Sequence, residues 1–186
     1  VISILMPVKN AGLYLTECIQ SILSQTYENW ELITVDDHST DNSLELLRSF
    51  TSDLRIRVVQ SGGHGIIAAL QTGYTEVKGD KIHRMDADDT MPPNKLQLLV
   101  ENLEEDSVVT GMVHYFHKHL EIGEGFRKYE KWLNELWASG NGWNDLYKEC
   151  PIASPAWLIY RNDFERIGGF NSGLMPEDYD LAFRMR

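Results

Sequence analysis

The sequence is poor in three features that would place it in a specialised class of protein. It has two cysteines in 186 residues, Cys18 and Cys150, so a disulfide framework is excluded and a reducing, cytoplasmic setting is favoured. No apolar run approaches the roughly 18 residues that a membrane-spanning helix needs, and no signal peptide is visible. Basic residues number 17 against 28 acidic ones, and the net charge of −11 argues against a general nucleic-acid binder.

What is present is the composition of an ordinary globular domain. Hydrophobic residues make up 42% of the chain and charged residues 24%, and the length allows one domain with a sizeable core. The chain opens on Val1 inside a strand pattern and stops at Arg186 inside a helical pattern. We therefore expect an excerpt that is truncated at its C-terminus.

Strand and helix patterns alternate four times in the first hundred residues. The predicted strands are Val1 to Met6, 31–35, 56–59 and 81–85. Four helices are predicted: one that starts at Leu15, one that runs from a cap at Ser39 to Asp41 through Phe50, one over 66–77, and one that includes Leu96 to Leu103. This alternation predicts an α/β fold whose mainly parallel sheet is flanked by helices on both faces. The second half is less regular, with one or two strands over 108–119, a helix over 128–138, a strand over 156–160 and a short helix capped by Asn162 or Asp163.

The stretch Met85-Asp-Ala-Asp-Asp89 carries three carboxylates in four residues. Such carboxylates repel one another unless a cation or several hydrogen-bond donors lie among them. Mg²⁺ and Mn²⁺ take oxygen ligands, and Mg²⁺ usually binds one or two carboxylates together with substrate phosphates. The alternative is a solvated acidic turn that caps the helix predicted near Pro93.

Three polar segments follow predicted strands, namely Pro7 to Asn10, Asp36-Asp37 and Asp86 to Asp89. Ligands of parallel α/β sheets bind beyond the carboxyl ends of the strands. The sequence therefore predicts a ligand site at that edge, although Asp36 and Asp37 could instead cap the next helix.

Four motifs together resemble those of family 2 glycosyltransferases, which have the GT-A fold. They are Pro7-Val-Lys-Asn10, Val35-Asp-Asp-His-Ser-Thr-Asp41, Met85-Asp-Ala-Asp-Asp89 and Pro176-Glu-Asp-Tyr-Asp-Leu181. The resemblance implies a nucleotide-diphospho-sugar transferase-like, Rossmann-like fold in a single catalytic domain over 1–186. It further implies that 1–90 form the nucleotide-sugar-binding half and 91–186 the acceptor-side half.

The resemblance also implies the site residues. Those expected to bind the nucleotide sugar, with uracil as the usual base, are Pro7, Val8, Lys9, Asp37, Asp86 and Ala87. Asp88 is expected to bind Mn²⁺ or Mg²⁺ on the diphosphate. Residues in supporting positions are Asp36, Asp89 and Glu177.

Asp178 is the expected general base, because Glu177-Asp178 matches the acidic pair beside the acceptor in that family. The resemblance implies an inverting enzyme, and inversion at the anomeric carbon needs one in-line displacement, during which the acceptor hydroxyl loses its proton. A positioned base contributes roughly 10²–10⁴-fold to such a step. Alternatively, the acidic pair begins a helix, where its charge suits the helix dipole.

The implied function is transfer of a sugar, in the first place from a UDP-linked donor, to a hydroxyl of a saccharide or lipid-linked acceptor. Such a reaction belongs to polysaccharide, lipopolysaccharide, cell-wall or glycan synthesis. The expected location is the cytoplasm, including a peripheral position at the inner face of a membrane.

Two other functions stay open on the sequence. Asp86-Ala-Asp-Asp-Thr90 fits the Asp-x-Asp-x-Thr loop of haloacid-dehalogenase-like phosphatases, in which Asp86 and Asp88 would act, but it follows the fourth predicted strand rather than the first. A module that binds a nucleotide sugar without turnover is the other alternative, although it would have no use for a base at Asp178.

Several further signals are weak. His114, His117 and His119 lack the spacing of a zinc site, and Gly62-Gly-His-Gly65 lacks the Lys-Ser/Thr of a phosphate-binding P-loop. One or two of the tryptophans of the second half, at 132, 137, 143 and 157, are expected to line the acceptor cleft.

Overall fold

A computed structural model describes residues 1–117, 120–171 and 176–186. Its strands are β1 (Ile2–Val8), β2 (Trp30–Asp36), β3 (Ile56–Gln60), β4 (Lys81–Arg84), β5 (Val108–Thr110) and β6 (Trp157–Tyr160). Its helices are α1 (Leu15–Leu23), α2 (Ser43–Ser49), α3 (Ile66–Tyr74), α4 (Lys95–Glu101), α5 (Glu124–Ala138), α6 (Arg161–Arg166) and α7 (Glu177–Met185), with a 3₁₀ turn at Ser154–Ala156.

The six strands form one sheet in the order β3-β2-β1-β4-β6-β5. The first four strands are parallel, whereas β6 is antiparallel to β4 and β5 is antiparallel to β6. The predicted α/β fold with a mainly parallel sheet is confirmed. Both halves of the chain contribute strands to this one sheet.

The central strands are apolar because both faces of the sheet are covered. Alternate residues of β1 face opposite sides: Ile4 and Met6 pack into a cluster with α1, α2 and α4, while Leu5 packs with α3, α6 and α7. Cys18 lies in the first cluster as the buried thiol that its helical pattern predicts, and both cysteines are free.

One of the two predicted helix caps holds in part and the other is wrong. Helix α2 begins at Ser43, and of the predicted cap residues Asp41 accepts the Ser43 N–H as well as the Gly12 N–H. Helix α6 begins at Arg161, so Asn162 and Asp163 lie inside its first turn. The Asp163 carboxylate accepts from the Asp106 N–H, 57 positions away, and from Arg166 within the same helix, so these contacts replace capping.

The prediction of strands over 108–119 holds only for Val108–Thr110. Beyond that point the backbone is irregular to residue 117, and His119 lies outside the described residues. Side chains of α5 take the place of a partner strand: Asn134 exchanges two hydrogen bonds with Val113, and Glu130 accepts the N–H of Tyr115 at 2.7 Å. Backbone groups satisfied in this way need no strand pairing.

Helix α3 ends at Tyr74 rather than at Val77, and α5 begins four residues earlier than predicted, at Glu124. Among the described helices, none is both long enough and apolar enough to cross a membrane.

Candidate active site

Three loops meet at the carboxyl edge of the parallel strands. Asp37 N–H donates to the Val8 carbonyl at 2.7 Å, which places the end of β2 beside the end of β1. Met85 N–H donates to the Leu5 carbonyl at 3.0 Å, which places the acidic stretch on the other side of β1. The sheet therefore brings together the three polar segments that the sequence places after strands.

The first two loops are fastened to each other. Asn10 adopts a left-handed backbone conformation with φ of 52°, in which its N–H donates to Ser39 Oγ at 3.0 Å and its Oδ1 accepts the N–H of Thr40 at 2.8 Å. Asn is among the few residue types other than Gly that adopt this conformation readily. The loop after β1 is thus held in place by side-chain contacts with the loop after β2.

Asp37 is buried, and its two carboxylate oxygens have different surroundings. Oδ2 accepts from Lys9 Nζ at 3.1 Å and from the Gly65 N–H at 3.0 Å, whereas buried Oδ1 has no hydrogen-bond partner within the described parts of the chain. Burial by itself would raise the pKa of Asp37, but the hydrogen bonds from Lys9 and Gly65 outweigh it and lower the pKa. Asp37 is therefore a carboxylate with one buried oxygen that lacks a hydrogen-bond donor among the described residues.

Asp36 differs from its neighbour, because its carboxylate accepts from the Ser39 N–H at 3.3 and 3.4 Å and from Gln60 Nε2 at 3.0 Å. Asp36 thus closes the turn after β2, whereas Asp37 contacts Lys9 and Gly65 rather than the start of α2. The Gly-rich loop predicted as a weak phosphate cradle gives the Gly65 N–H to a protein carboxylate instead.

Two exposed histidines lie beside Asp37. The rings of His38 and His64 have centroids 4.3 Å apart. One ligand atom from each of Asp37, His38 and His64 lies within 4.8 Å of the other two, and within residues 1–117, 120–171 and 176–186 this is the only group of three or more such side chains that close together. No local sequence pattern reveals this group, because His38 and His64 are 26 positions apart.

Arg84 connects the acidic stretch to α7. Its Nε donates to Asp86 Oδ1 at 3.0 Å and its Nη1 donates to Glu177 Oε1 at 3.1 Å, while only 5% of the side chain is exposed. Sequence reasoning missed this residue. The available signal was a charged side chain at the end of an otherwise buried strand, since a buried charge needs a partner.

The acidic stretch carries more negative charge than the nearby cations balance. Burial raises the pKa of Asp86 despite Arg84, and burial together with Asp86 and Asp88 raises the pKa of Asp89 to about 6. Lys95 is the other nearby cation; burial lowers its pKa to about 8, and its Nζ donates to the Pro155 carbonyl.

This donor set suits a hard divalent cation, because it consists of carboxylate oxygens with an unbalanced charge. The three carboxylates do not converge as closely as the Asp37 group. A cation held here would therefore need further oxygen ligands from a substrate. The alternative of a helix-capping turn is not supported, because α4 begins only at Lys95 and Asp89 N–H donates to the Asp86 carbonyl.

A cavity of about 1130 Å³ brings the acidic stretch and α7 together, since Asp86, Asp88 and Asp178 all line it. Asp178 lies in the first turn of α7 and is half-buried. The aromatic residues of the lining are Tyr115, Phe116 and Tyr129. The prediction that tryptophans line this cleft is wrong for the described residues, because Trp137 and Trp143 pack on each other and Trp132 donates to Asp145.

The nucleotide-side residues lie outside this cavity. Pro7 and Val8 belong to β1, and neither they nor Lys9 and Asp37 contribute to the described lining. Ala87 is buried between Asp86 and Asp88. The predicted residues thus form two regions, a base-side region around Asp37 and a cavity around Asp86, Asp88 and Asp178, with Arg84 and Glu177 paired beside the second.

The chain is similar to known proteins in sequence and in fold. The family model described as "Glycosyl transferase family 2" matches residues 3–168. Glycosyltransferase GlyG of Streptococcus pneumoniae is 38% identical over 118 residues, which cover 62% of this chain and 39% of that protein. An uncharacterized glycosyltransferase of Rickettsia bellii is 32% identical over 177 residues, covering 95% of this chain and 24% of that protein.

Two solved structures show the same fold at low sequence identity. Residues 1–349 of Staphylococcus aureus TarS, in complex with UDP, align with a TM-score of 0.69 and 18% identity, covering 97% of this chain and 53% of that one. The mannosyltransferase PcManGT of Pyrobaculum calidifontis, in complex with GDP-Man and Mn²⁺, aligns with a TM-score of 0.69 and 18% identity, covering 99% and 51%. The chain spans about a quarter to two fifths of the length of the two curated relatives named above.

Proposed function

Because the chain belongs to glycosyltransferase family 2, we propose that it transfers a sugar, with inversion, from a metal-bound nucleoside diphosphate to a hydroxyl acceptor. The donor we propose in the first place is UDP-linked, and the acceptor is a saccharide or a lipid-linked saccharide. The single observation that carries this proposal is the cavity shared by Asp86, Asp88 and Asp178, which gives a diphosphate site and a base a common space.

We assign the nucleobase to Asp37 and the loop after β1. The buried Oδ1 of Asp37 is an ionised acceptor, so it selects a base edge that presents an N–H donor. Uracil has such a donor in its ring, and so does guanine. Lys9, at 3.1 Å from the other oxygen, balances the carboxylate's charge and completes this region with Pro7 and Val8.

We assign the ribose and diphosphate to the acidic stretch. Asp86 would contact the ribose and Asp88 would hold Mn²⁺ or Mg²⁺, with Ala87 packed between them and Asp89 in support. The bound cation would supply Lewis-acid stabilisation of the charge on the departing diphosphate. Arg84, by pairing with Asp86, holds that carboxylate in place and balances part of the local charge.

We assign the acceptor to the cavity side, with Asp178 as the general base. A base at the start of a helix is mounted on a rigid element, and Glu177 beside it is fixed by Arg84. Asp178 would take the proton of the attacking hydroxyl as its oxygen bonds to the anomeric carbon. Tyr115, Phe116 and Tyr129 line the same cavity and offer aromatic faces to a sugar ring.

We further propose that 1–186 act as one catalytic domain, with 1–90 mainly on the donor side and 91–186 mainly on the acceptor side. The sheet supports this division, because β1 to β4 carry the donor-side loops and β5 and β6 extend it toward the cavity. The two buried, free cysteines are compatible with a cytoplasmic location, including the inner face of a membrane.

The test is release of nucleoside diphosphate from UDP-glucose, UDP-N-acetylglucosamine and GDP-mannose with Mn²⁺, using water or added saccharides as acceptors. We expect Asp178→Asn to bind UDP normally and to lose roughly 10²–10⁴-fold in turnover. Asp88→Asn is expected to lose both turnover and metal-dependent UDP binding. Asp53→Asn, a change of a partly exposed carboxylate that pairs with Arg55 just before β3, serves as the matched control.

The same assay separates the alternatives. UDP binding without release of product from any donor would favour a binding module. Phosphate release from a phosphate monoester, without any nucleotide binding, would favour the phosphatase. Wild-type turnover by Asp178→Asn would contradict the assignment of the base.

A further inference from the structure

We propose that Asp37, His38 and His64 form a site for a transition-metal ion of the Zn²⁺ class, and that an ion bound there excludes the nucleotide from the base-side region. The exclusion rests on the proposed function, since it assumes that the base occupies Asp37. The metal site itself does not depend on that assumption.

The side chains of Asp37, His38 and His64 are ligands that a borderline-soft ion prefers. Two imidazoles and one carboxylate suit Zn²⁺, Co²⁺ or Ni²⁺, whereas Mg²⁺ prefers oxygen ligands only. The three ligand atoms lie within 4.8 Å of one another. Tetrahedral Zn²⁺ with bonds of about 2.1 Å needs ligand atoms about 3.4 Å apart, so closure requires small rotations of two exposed imidazoles.

The buried oxygen of Asp37 points to a ligand independently of the histidines. Asp37 Oδ1 is buried and has no partner in the described chain, while Oδ2 already accepts from Lys9 and Gly65. A buried carboxylate oxygen without a hydrogen bond is unfavourable, so a cation that supplies its missing partner gains in affinity.

His38 is oriented for ligation by its own contacts. Its Nε2 lies 3.2 Å from the Gly63 carbonyl, which can only accept, so this contact requires the proton on Nε2 and leaves a lone pair on Nδ1. Gln60 Nε2 lies 3.5 Å from Nδ1, but it donates at 2.9 and 3.0 Å to the backbone and side-chain oxygens of Asp36. A histidine that donates its other N–H to a backbone carbonyl is the usual arrangement at metal sites.

Lys9 is the group that opposes a cation here. Its Nζ lies 3.1 Å from Asp37 Oδ2, and its side chain is 55% exposed. An exposed lysine can swing away, so its charge weakens the site without closing it. Removing that charge should therefore strengthen metal binding while it weakens binding of the negatively charged nucleotide.

The direct test titrates metal-free protein with CoCl₂, followed by visible absorption, and then with ZnCl₂ to displace the Co²⁺. We expect one Co²⁺ with the absorption of a low-coordinate site, retained in excess MgCl₂. His64→Gln should weaken Co²⁺ binding by roughly tenfold or more. His117→Gln, a change of another exposed histidine, near the opposite edge strand β5, should leave it unchanged.

The competition test adds UDP under saturating MgCl₂. We expect ZnCl₂ to weaken UDP binding in the wild type and to do so less in His64→Gln. Lys9→Met should raise Co²⁺ affinity and lower UDP affinity. If His64→Gln fails to fold, these two affinities of Lys9→Met still test whether the metal binds beside Asp37. Equal Co²⁺ binding by the wild type, His64→Gln and Lys9→Met would overturn the metal site.

If Zn²⁺ bound without weakening UDP binding, the proposed exclusion of the nucleotide would be wrong, but the proposed metal site would stand. Failure of the proposed function gives a different result. In that case UDP would not bind under any condition, while the CoCl₂ titrations of the wild type and His64→Gln would still decide the metal site.

Discussion

At the scale of single residues, Arg84 connects the acidic stretch after β4 to the first turn of α7. It is nearly completely buried and bonds to Asp86 on one side and Glu177 on the other. Because Glu177 precedes the proposed base, Arg84 links Asp86, the carboxylate proposed to contact the ribose, to the helix that carries Asp178. We regard Arg84 as a positioning residue rather than a catalytic one.

Arg84→Lys keeps the positive charge but cannot donate to both carboxylates in the same fork geometry. We expect kcat for donor turnover to fall by tenfold or more, an order-of-magnitude value for a misplaced catalytic group, with a smaller change in KM. Arg84→Gln should also lower the free energy of unfolding by about 1–3 kcal/mol, since it leaves two half-buried carboxylates without their partner.

The control for this pair is Arg166→Lys, because Arg166 is an exposed arginine that also contacts two carboxylates, Asp106 and Asp163. Exposed ion pairs contribute little to stability, so this change should leave turnover and stability nearly unchanged. If Arg84→Lys retained the wild-type kcat, the linking role would be wrong.

At the scale of elements, the packing of α3 on the sheet leaves no room at Gly73. A Cβ atom there would lie 2.9 Å from Val35 Cγ2 and 3.0 Å from Leu5 Cδ2. Both side chains are buried in the core, so neither can move freely. We expect Gly73→Ala to lower the free energy of unfolding by about 1–3 kcal/mol, the usual cost of overpacking.

The matched change is Gly125→Ala in α5, where a Cβ atom has nothing within 4 Å among the described residues. This variant should be unchanged or stabilised by up to about 1 kcal/mol, because Ala is the better helix former. Urea unfolding of both variants measures the difference. Equal stability of the two would show that α3 does not pack on the sheet as described.

The pairing of β4 with β6 contains a pH-sensitive element. His83 is fully buried; its Nδ1 contacts the Trp157 carbonyl at 2.5 Å, and burial lowers its pKa to about 3. The unfolded chain binds a proton at His83 below pH about 6.5, whereas the folded chain does so only near pH 3. The free energy of unfolding therefore falls as the pH falls through this window, by about 2 kcal/mol between pH 7 and pH 5.

His83→Asn tests this dependence, because an amide can still donate to the Trp157 carbonyl but does not titrate. We expect lower stability at pH 7 and a flatter loss of stability between pH 7 and pH 5, measured by urea unfolding at each pH. Gly125→Ala, which removes no titratable group, should keep the wild-type slope. An unchanged slope in His83→Asn would mean that other groups cause the acid sensitivity.

The accuracy of prediction from sequence also differs between elements. Strands β1 to β4 could be predicted because each is a short apolar run that ends in polar residues, and their parallel arrangement placed Asp37 and Asp86 at one edge. The segment 111–117 was mispredicted, because its backbone partners are side chains of α5 that no local pattern reveals.

The candidate site also combines features that could be predicted from sequence with features that could not. Acidic residues after strands could be found from spacing and resemblance, whereas the link from Arg84 to Glu177 spans 93 positions and depends on the folded sheet. The roles assigned to the individual site residues stay predictions until variants are measured.

At the scale of the whole molecule, the site extends along the carboxyl edge of one sheet. The base-side region around Asp37 lies beyond β1 and β2, and the cavity around Asp86, Asp88 and Asp178 lies beyond β4 and beside α7. This order matches a nucleotide whose base and diphosphate lie on the two sides of β1. The proposed function therefore requires a metal-dependent nucleotide site, whatever the acceptor.

The most direct test is calorimetric titration of the protein with UDP, with and without Mn²⁺, with GDP and inorganic phosphate as controls. We predict that UDP binds more tightly with Mn²⁺ than without, that phosphate does not reproduce this binding, and that Asp88→Asn abolishes the effect of Mn²⁺. If GDP bound more tightly than UDP, the proposed base would be guanine rather than uracil, and the proposed nucleotide site would stand. Absence of nucleotide binding with every metal, or Mn²⁺-dependent binding that Asp88→Asn retains, would contradict the account.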